Sequence, residues 1–157
     1  MITLPFDATK PVKGQASKLI NKPIADVFCF VAEQFFDNYP KWALEVEEFE
    51  PLDGHQIFIG ARARQVRNDQ GQKIDSVFQI TDNVPYKTIS FKGVTEPYRN
   101  TYLFDNENNE NVTVLTFSFE LLELDLFMRP FEKLIRTAIE EGAENTVENI
   151  RKLVSES

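Results

Sequence analysis

The apolar residues in the last third of the chain fall on a single stripe. Between residues 125 and 154, Phe127, Met128, Phe131, Leu134, Ile135, Ala138, Ile139, Gly142, Ala143, Val147, Ile150, Leu153 and Val154 recur at steps of three and four. Glu132, Lys133, Arg136, Glu140, Glu141, Glu144, Glu148, Arg151 and Lys152 fall between them. This spacing predicts one long helix with a greasy side, and such a helix is stable only when that side lies on another layer.

The preceding residues can supply the layer. Strand-like runs are expected over 15–20, 45–52, 57–67, 73–81, 86–94, 98–104 and 112–121, separated by turn residues such as Asp53-Gly54, Asn68-Asp-Gln-Gly71 and Asn83-Val-Pro85. Short strands at regular spacing imply an antiparallel meander. Alternation puts Ile74, Phe78 and Ile80 on one side of their strand, opposite Asp75, Gln79 and Thr81. Ile89 with Phe91, and Leu115 with Phe117 and Phe119, follow the same rule. On 98–104 the inner side is the one bearing Tyr98, Asn100, Tyr102 and Phe104. Gly60 is expected to mark a bend or bulge that curls the sheet.

Two helices are expected between the first two strands. Pro23 suits a first helical turn, and Val27, Phe28, Phe30, Val31 and Phe35 continue the pattern until Asp37-Asn-Tyr-Pro40 stops it. A second short helix over 41–44 turns Trp42 inward. Residues 1–14, with Pro5 and Pro11 and no periodicity, form an extension before a single domain at 15–157.

Composition narrows the function classes. A net charge of −8 over 157 residues opposes nucleic acid and an anionic membrane surface. The single cysteine, Cys29, is expected to be buried; it leaves no disulfide framework and suits a reducing compartment. No export signal or membrane-spanning run is visible, so the expected location is cytoplasmic. Fourteen phenylalanines promise large buried areas. The expected oligomeric state is a monomer or weak homodimer.

Several segments, in this order, resemble a known family: Ile20-Asn-Lys-Pro-Ile-Ala-Asp-Val-Phe28, Tyr39-Pro-Lys-Trp42, Gly60-Ala-Arg-Ala-Arg-Gln-Val-Arg67, Ile80-Thr-Asp-Asn-Val-Pro85 and Thr116-Phe-Ser-Phe-Glu-Leu121. With the final helix they resemble the helix-grip fold of the START-related SRPBCC superfamily, in its polyketide cyclase/dehydrase-type branch. The resemblance implies an α+β fold in which a curved antiparallel sheet of about seven strands wraps a long C-terminal helix. It also implies an apolar cavity between the two, since relatives bind lipids, steroids, quinones or polyketides. Fold alone does not assign an activity.

Candidate ligand-binding residues are Trp42, Ala63, Gln65, Phe78, Ile80, Phe91, Tyr98, Asn100, Tyr102, Phe117, Phe131, Ile135, Ala138, Ile139 and Gly142. Gly142 either enlarges the cavity or admits a bulky strand residue such as Phe117. Ala61 and Ala63 either leave space or fit beneath neighbouring phenylalanines. Pro130 either kinks the helix at a cavity lip or ends a short turn before it. Tyr98, Asn100 and Tyr102 either meet a ligand or satisfy each other.

Chemistry of other kinds is poorly represented. His55 stands alone after a turn, Cys29 has no histidine near it in sequence, and no spacing resembles a zinc site. The carboxylates of Glu45, Glu47, Glu48, Glu50 and Asp75 are expected to face water. No catalytic residue, metal or cofactor is called for. The leading expectation is a carrier or sensor of a small, mostly apolar ligand. A cyclase or dehydratase and a protein-interaction module are the alternatives.

Overall fold

The computed structural model describes residues 11–156, and the expectations for residues 1–10 lie outside the described residues. In chain order the elements are β1 (Val12–Ile20), α1 (Ile24–Phe28), α2 (Phe35–Trp42), β2 (Val46–Pro51), β3 (Arg62–Asp69), β4 (Gln72–Val84), β5 (Thr88–Gly93), β6 (Tyr98–Asp105), β7 (Thr113–Leu121) and α3 (Glu132–Glu156). A π-helical turn, Cys29–Glu33, joins α1 to α2, and a 3-10 turn, Leu126–Phe131, precedes α3.

The seven strands form one antiparallel sheet in the order β1-β7-β6-β5-β4-β3-β2. β1 and β2 therefore occupy opposite edges. The chain between them must cross the sheet, and it carries α1 and α2 over the concave face. Phe35, Phe36 and Tyr39 of α2 fill that part of the cup by packing against Phe78, Phe91, Phe49 and Tyr102. The Phe78 and Phe91 rings beneath them lie 4.2 Å apart.

Several element boundaries differ from expectation. β1 begins at Val12 rather than at residue 15, because Val12, Gly14 and Ala16 alternate as buried positions with exposed Lys13 and Gln15. The first helix breaks at Gln34 (φ −105°, ψ 31°), so Pro40 lies inside α2 instead of ending a helix. Asn38 supports this break by donating from Nδ2 to the Phe30 carbonyl at 2.9 Å. Gly60 (φ +97°) shapes a turn ahead of β3, where its N–H donates to the Ile80 carbonyl; the register shifts fall instead at Val46/Glu48 and Ile80/Asp82.

The long helix starts at Glu132, not at residue 125. Pro130 lacks an N–H and falls within the preceding 3-10 turn, while Asp125 Oδ1 accepts from the Phe127 N–H at 2.9 Å. As a result the first part of the predicted stripe stays exposed: Phe127 is 87% accessible and Leu134 69%. Ala143, Val147, Ile150 and Val154 are buried. Their three larger side chains contribute roughly 5–9 kcal/mol of gross burial before the entropy cost of ordering. Asn149 Nδ2 also donates to the Trp42 carbonyl at the end of α2 (3.2 Å).

α3 runs alongside β1 in step with it. Gly14 faces Ile139 and Glu140, and Lys18 reaches Glu148 at 3.1 Å. Four strand residues advance ~13 Å and eight helical residues ~12 Å, so the two contacts share one spacing. A Cβ on Gly14 would stand 2.7 Å from Ile139 Cγ2 and 3.0 Å from the Glu140 nitrogen. Backbone thus meets backbone here.

Two outcomes follow from this docking. Gly14→Ala should lower stability by about 1–3 kcal/mol, a fall in Tm of roughly 2–12 °C. On a strand free of the helix, alanine would instead be neutral or mildly stabilising, so thermal denaturation reads the contact by its sign. Glu148 is held down to about 2 by hydrogen bonds from Arg151 and Lys18. Its folded pKa lies below the unfolded value of about 4.3, so its stabilisation is present above that value and is lost as pH falls towards 2. The Tm difference between wild type and Glu148→Gln should therefore shrink across that window; a difference constant with pH would contradict the assignment.

Candidate functional site

The part of the cup that α2 does not reach remains hollow. A cavity of about 340 Å³, partly open to solvent, lies between α3 and the sheet and is bounded by the end of α2; Ala138 and Gly142 of its roof are exposed. Its floor follows from strand register, which sets Phe119 beside Asn100 and Phe117 beside Tyr102. The walls are Tyr39, Trp42, Ala43, Glu45 and Arg67, and the roof is Ile135, Ala138, Ile139, Gly142, Ala143 and Thr146. Beyond its chain neighbours and the backbone of its own helix, no heavy atom of the described residues lies within 4 Å of where a Gly142 Cβ would stand. Gly142 therefore makes no close contact with Phe117, and its missing side chain leaves space.

Polar groups gather at one side of this apolar volume. Arg67 Nη2 pairs with Glu45 at 3.3 Å and Asp69 at 3.5 Å. Trp42 Nε1 donates to Tyr102 Oη (3.2 Å), and Tyr39 Oη donates to Gln65 Oε1 (2.9 Å). Burial pushes the phenols of Tyr39 and Tyr102 well above their ordinary range, and that of Tyr98 up to about 12. All three stay neutral near pH 7 and act by hydrogen bonding. Asn100 Oδ1 and Arg67 Nε are buried without a hydrogen-bond partner in the protein.

Eight candidates from the sequence come together here: Trp42, Asn100, Tyr102, Phe117, Ile135, Ala138, Ile139 and Gly142. Seven lie elsewhere. Ala63, Phe78, Ile80 and Phe91 are fully buried in the core beneath α2, whose aromatic side chains take the space the sequence leaves open. Ala61 is packed in the same core. Gln65 and Tyr98 serve each other (3.5 Å), with Tyr98 stacked on Phe119 at 5.7 Å between centroids. Phe131 is 52% accessible at the end of the 3-10 turn.

Tyr39, Ala43, Glu45, Arg67, Phe119, Ala143 and Thr146 line the cavity without having been singled out. Arg67 shares parity with Ala63 and Gln65, a signal that its charge obscured. Phe119 shares parity with Phe117. Glu45, expected to face water, keeps a 39% exposed side chain and also pairs with Arg67. Cys29 is half-buried rather than buried, and its thiol is raised by that partial burial and by Glu33. His55 is exposed, with Nδ1 2.7 Å from Asp37 Oδ1.

Comparison with known proteins bears on both fold and family. The Zhui aromatase/cyclase from a Streptomyces species superposes with a TM-score of 0.72 at 12% identity, over 92% of this chain and 94% of that one. A protein from Thermus thermophilus gives 0.72 at 18% identity, over 92% and 97%. A protein of unknown function from Staphylococcus aureus gives 0.72 at 15% identity, over 94% and 95%. At these identities the likeness shows the fold, which is the helix grip. No curated protein matches the sequence significantly. No helix among the described residues is long and apolar enough to cross a membrane. The family model described as polyketide cyclase / dehydrase and lipid transport matches residues 11–155, and the chain belongs to that family.

Proposed function

We propose that the protein encloses a small, mostly apolar molecule between α3 and the sheet, and acts as its carrier or sensor. The observation that carries this reading is the open space at Gly142, in the roof of a cavity floored by Phe117 and Phe119. A mid-helix glycine costs about 1 kcal/mol relative to alanine. Here that cost coincides with room for a guest. A few polar groups at one side of greasy walls complete a typical small-molecule site.

A cyclase or dehydratase is the second reading, favoured by the family description and by Tyr102 and Arg67, which could polarise a carbonyl. Binding ranks first because Glu45, the carboxylate in the lining, is tied to Arg67 and poorly placed as a free base.

Trp42 is the single tryptophan and stands in the cavity wall, so its fluorescence reports occupancy directly. Titration with medium-chain lipids, short-chain quinones or polyphenols should shift its emission. Gly142→Leu should abolish that response while keeping the fold, and Gly142→Ala should raise stability by up to about 1 kcal/mol. Undiminished binding by Gly142→Leu, or no response to any of these compounds, would overturn the proposal.

A further inference from the structure

Five large apolar side chains between residues 126 and 134 stay in water: Leu126, Phe127, Met128, Phe131 and Leu134. The turn that carries most of them is built rather than frayed. Asp125 Oδ1 accepts from the Phe127 N–H, the Met128 N–H donates to the Asp125 carbonyl (2.8 Å), and the buried Arg129 pairs with Glu132. Phe131 and Leu134 continue at helical spacing into Ile135 and Ala138, which line the cavity. Leu19 and Leu103, by contrast, are exposed singly on strands, as is ordinary for apolar residues.

Area and charge decide what covers this patch. With ~150–250 Å² to a whole aromatic side chain, the five expose roughly 500 Å², at the upper end for the apolar patches of a monomer. A stable dimer buries about 800 Å² on each partner, so a second copy would be held weakly. Between residues 123 and 136, Glu123, Asp125 and Glu132 are matched by Arg129, Lys133 and Arg136, three against three. The net charge of −8 therefore resides wholly outside this segment. Two copies repel one another through that excess, and an anionic membrane repels it too. A zwitterionic bilayer has no net charge to oppose it and takes apolar side chains into its interface.

We propose that the 126–134 segment docks the protein on a neutral, zwitterionic lipid surface, with Phe127 (87% exposed) inserted among the acyl chains. Docking stands on this patch alone and holds whatever the cavity carries. It brings the roof residues Ile135 and Ala138, within a turn of Leu134, close to the lipid.

The test is flotation of the full chain with phosphatidylcholine vesicles through a density gradient. Wild type should float, and adding phosphatidylserine should weaken its binding. Phe127→Ser should lower the partition coefficient about tenfold or more, as expected for withdrawing one buried phenylalanine. Leu103→Ser removes an exposed apolar side chain from β6 and should float as wild type does. Wild type that stays in the dense fraction, or that floats only with phosphatidylserine, would overturn the proposal. So would flotation that survives Phe127→Ser, or that Leu103→Ser abolishes as fully. A dimer in sedimentation that Phe127→Ser dissolves would assign the patch to a second copy and overturn it as well. Should Phe127→Ser lose its fold by circular dichroism, Leu134→Ser replaces it, with the same loss of flotation expected.

Discussion

The interior of this protein depends on where α3 is held. Its second half is pinned by Val147, Ile150 and Val154 against the sheet and by Asn149 on the Trp42 carbonyl. Near its middle, Gly14 of β1 lets the helix backbone approach the strand directly. These contacts, with Ile139 seated against Gly14, fix the axis of the helix while Gly142 stands clear of the sheet. The same stretch presents Ala138 and Gly142, which are too small to close the gap. A cavity is the geometric remainder of a helix docked along one edge strand and capped by small residues.

Topology explains why only part of the cup is hollow. With β1 and β2 at opposite edges, the connecting helices must cross the concave face. The aromatic side chains of α2 then pack against the sheet beneath them, where Phe78, Ile80 and Phe91 are fully buried. Space survives beyond the reach of Tyr39 and Trp42, where α3 takes over as the roof. The two halves differ in chemistry as well. One is an aromatic plug, and the other sets an aliphatic helix face over Phe117 and Phe119, with a guanidinium, a carboxylate, an amide and two phenols in its lining.

Much of the architecture was legible in the sequence because period and punctuation agree there. The meander, the long final helix and the inner faces of β6 and β7 all follow from alternation and turn residues. The start of α3 was not, because apolar residues 127–134 continue the helical stripe across Pro130 into a segment that the fold leaves exposed. Half of the candidate site was also legible. Phe78, Ile80 and Phe91 share the inner face but lie under α2, and a parity rule cannot say which helix covers a given strand. Arg67 and Glu45 were missed for the opposite reason: their charges suggest water, whereas their mutual pairing lets them line a partly buried wall.

Whether the space beneath α3 is open is tested most directly by a crystal structure under xenon pressure, since the gas settles against apolar lining such as Phe117, Phe119 and Ile139. The expected result is xenon density between Ile139 of the helix and Phe117 of the sheet, with Gly142 standing clear of its neighbours. A helix settled onto the sheet, with Phe117 against Gly142 and no xenon beneath it, would contradict the account.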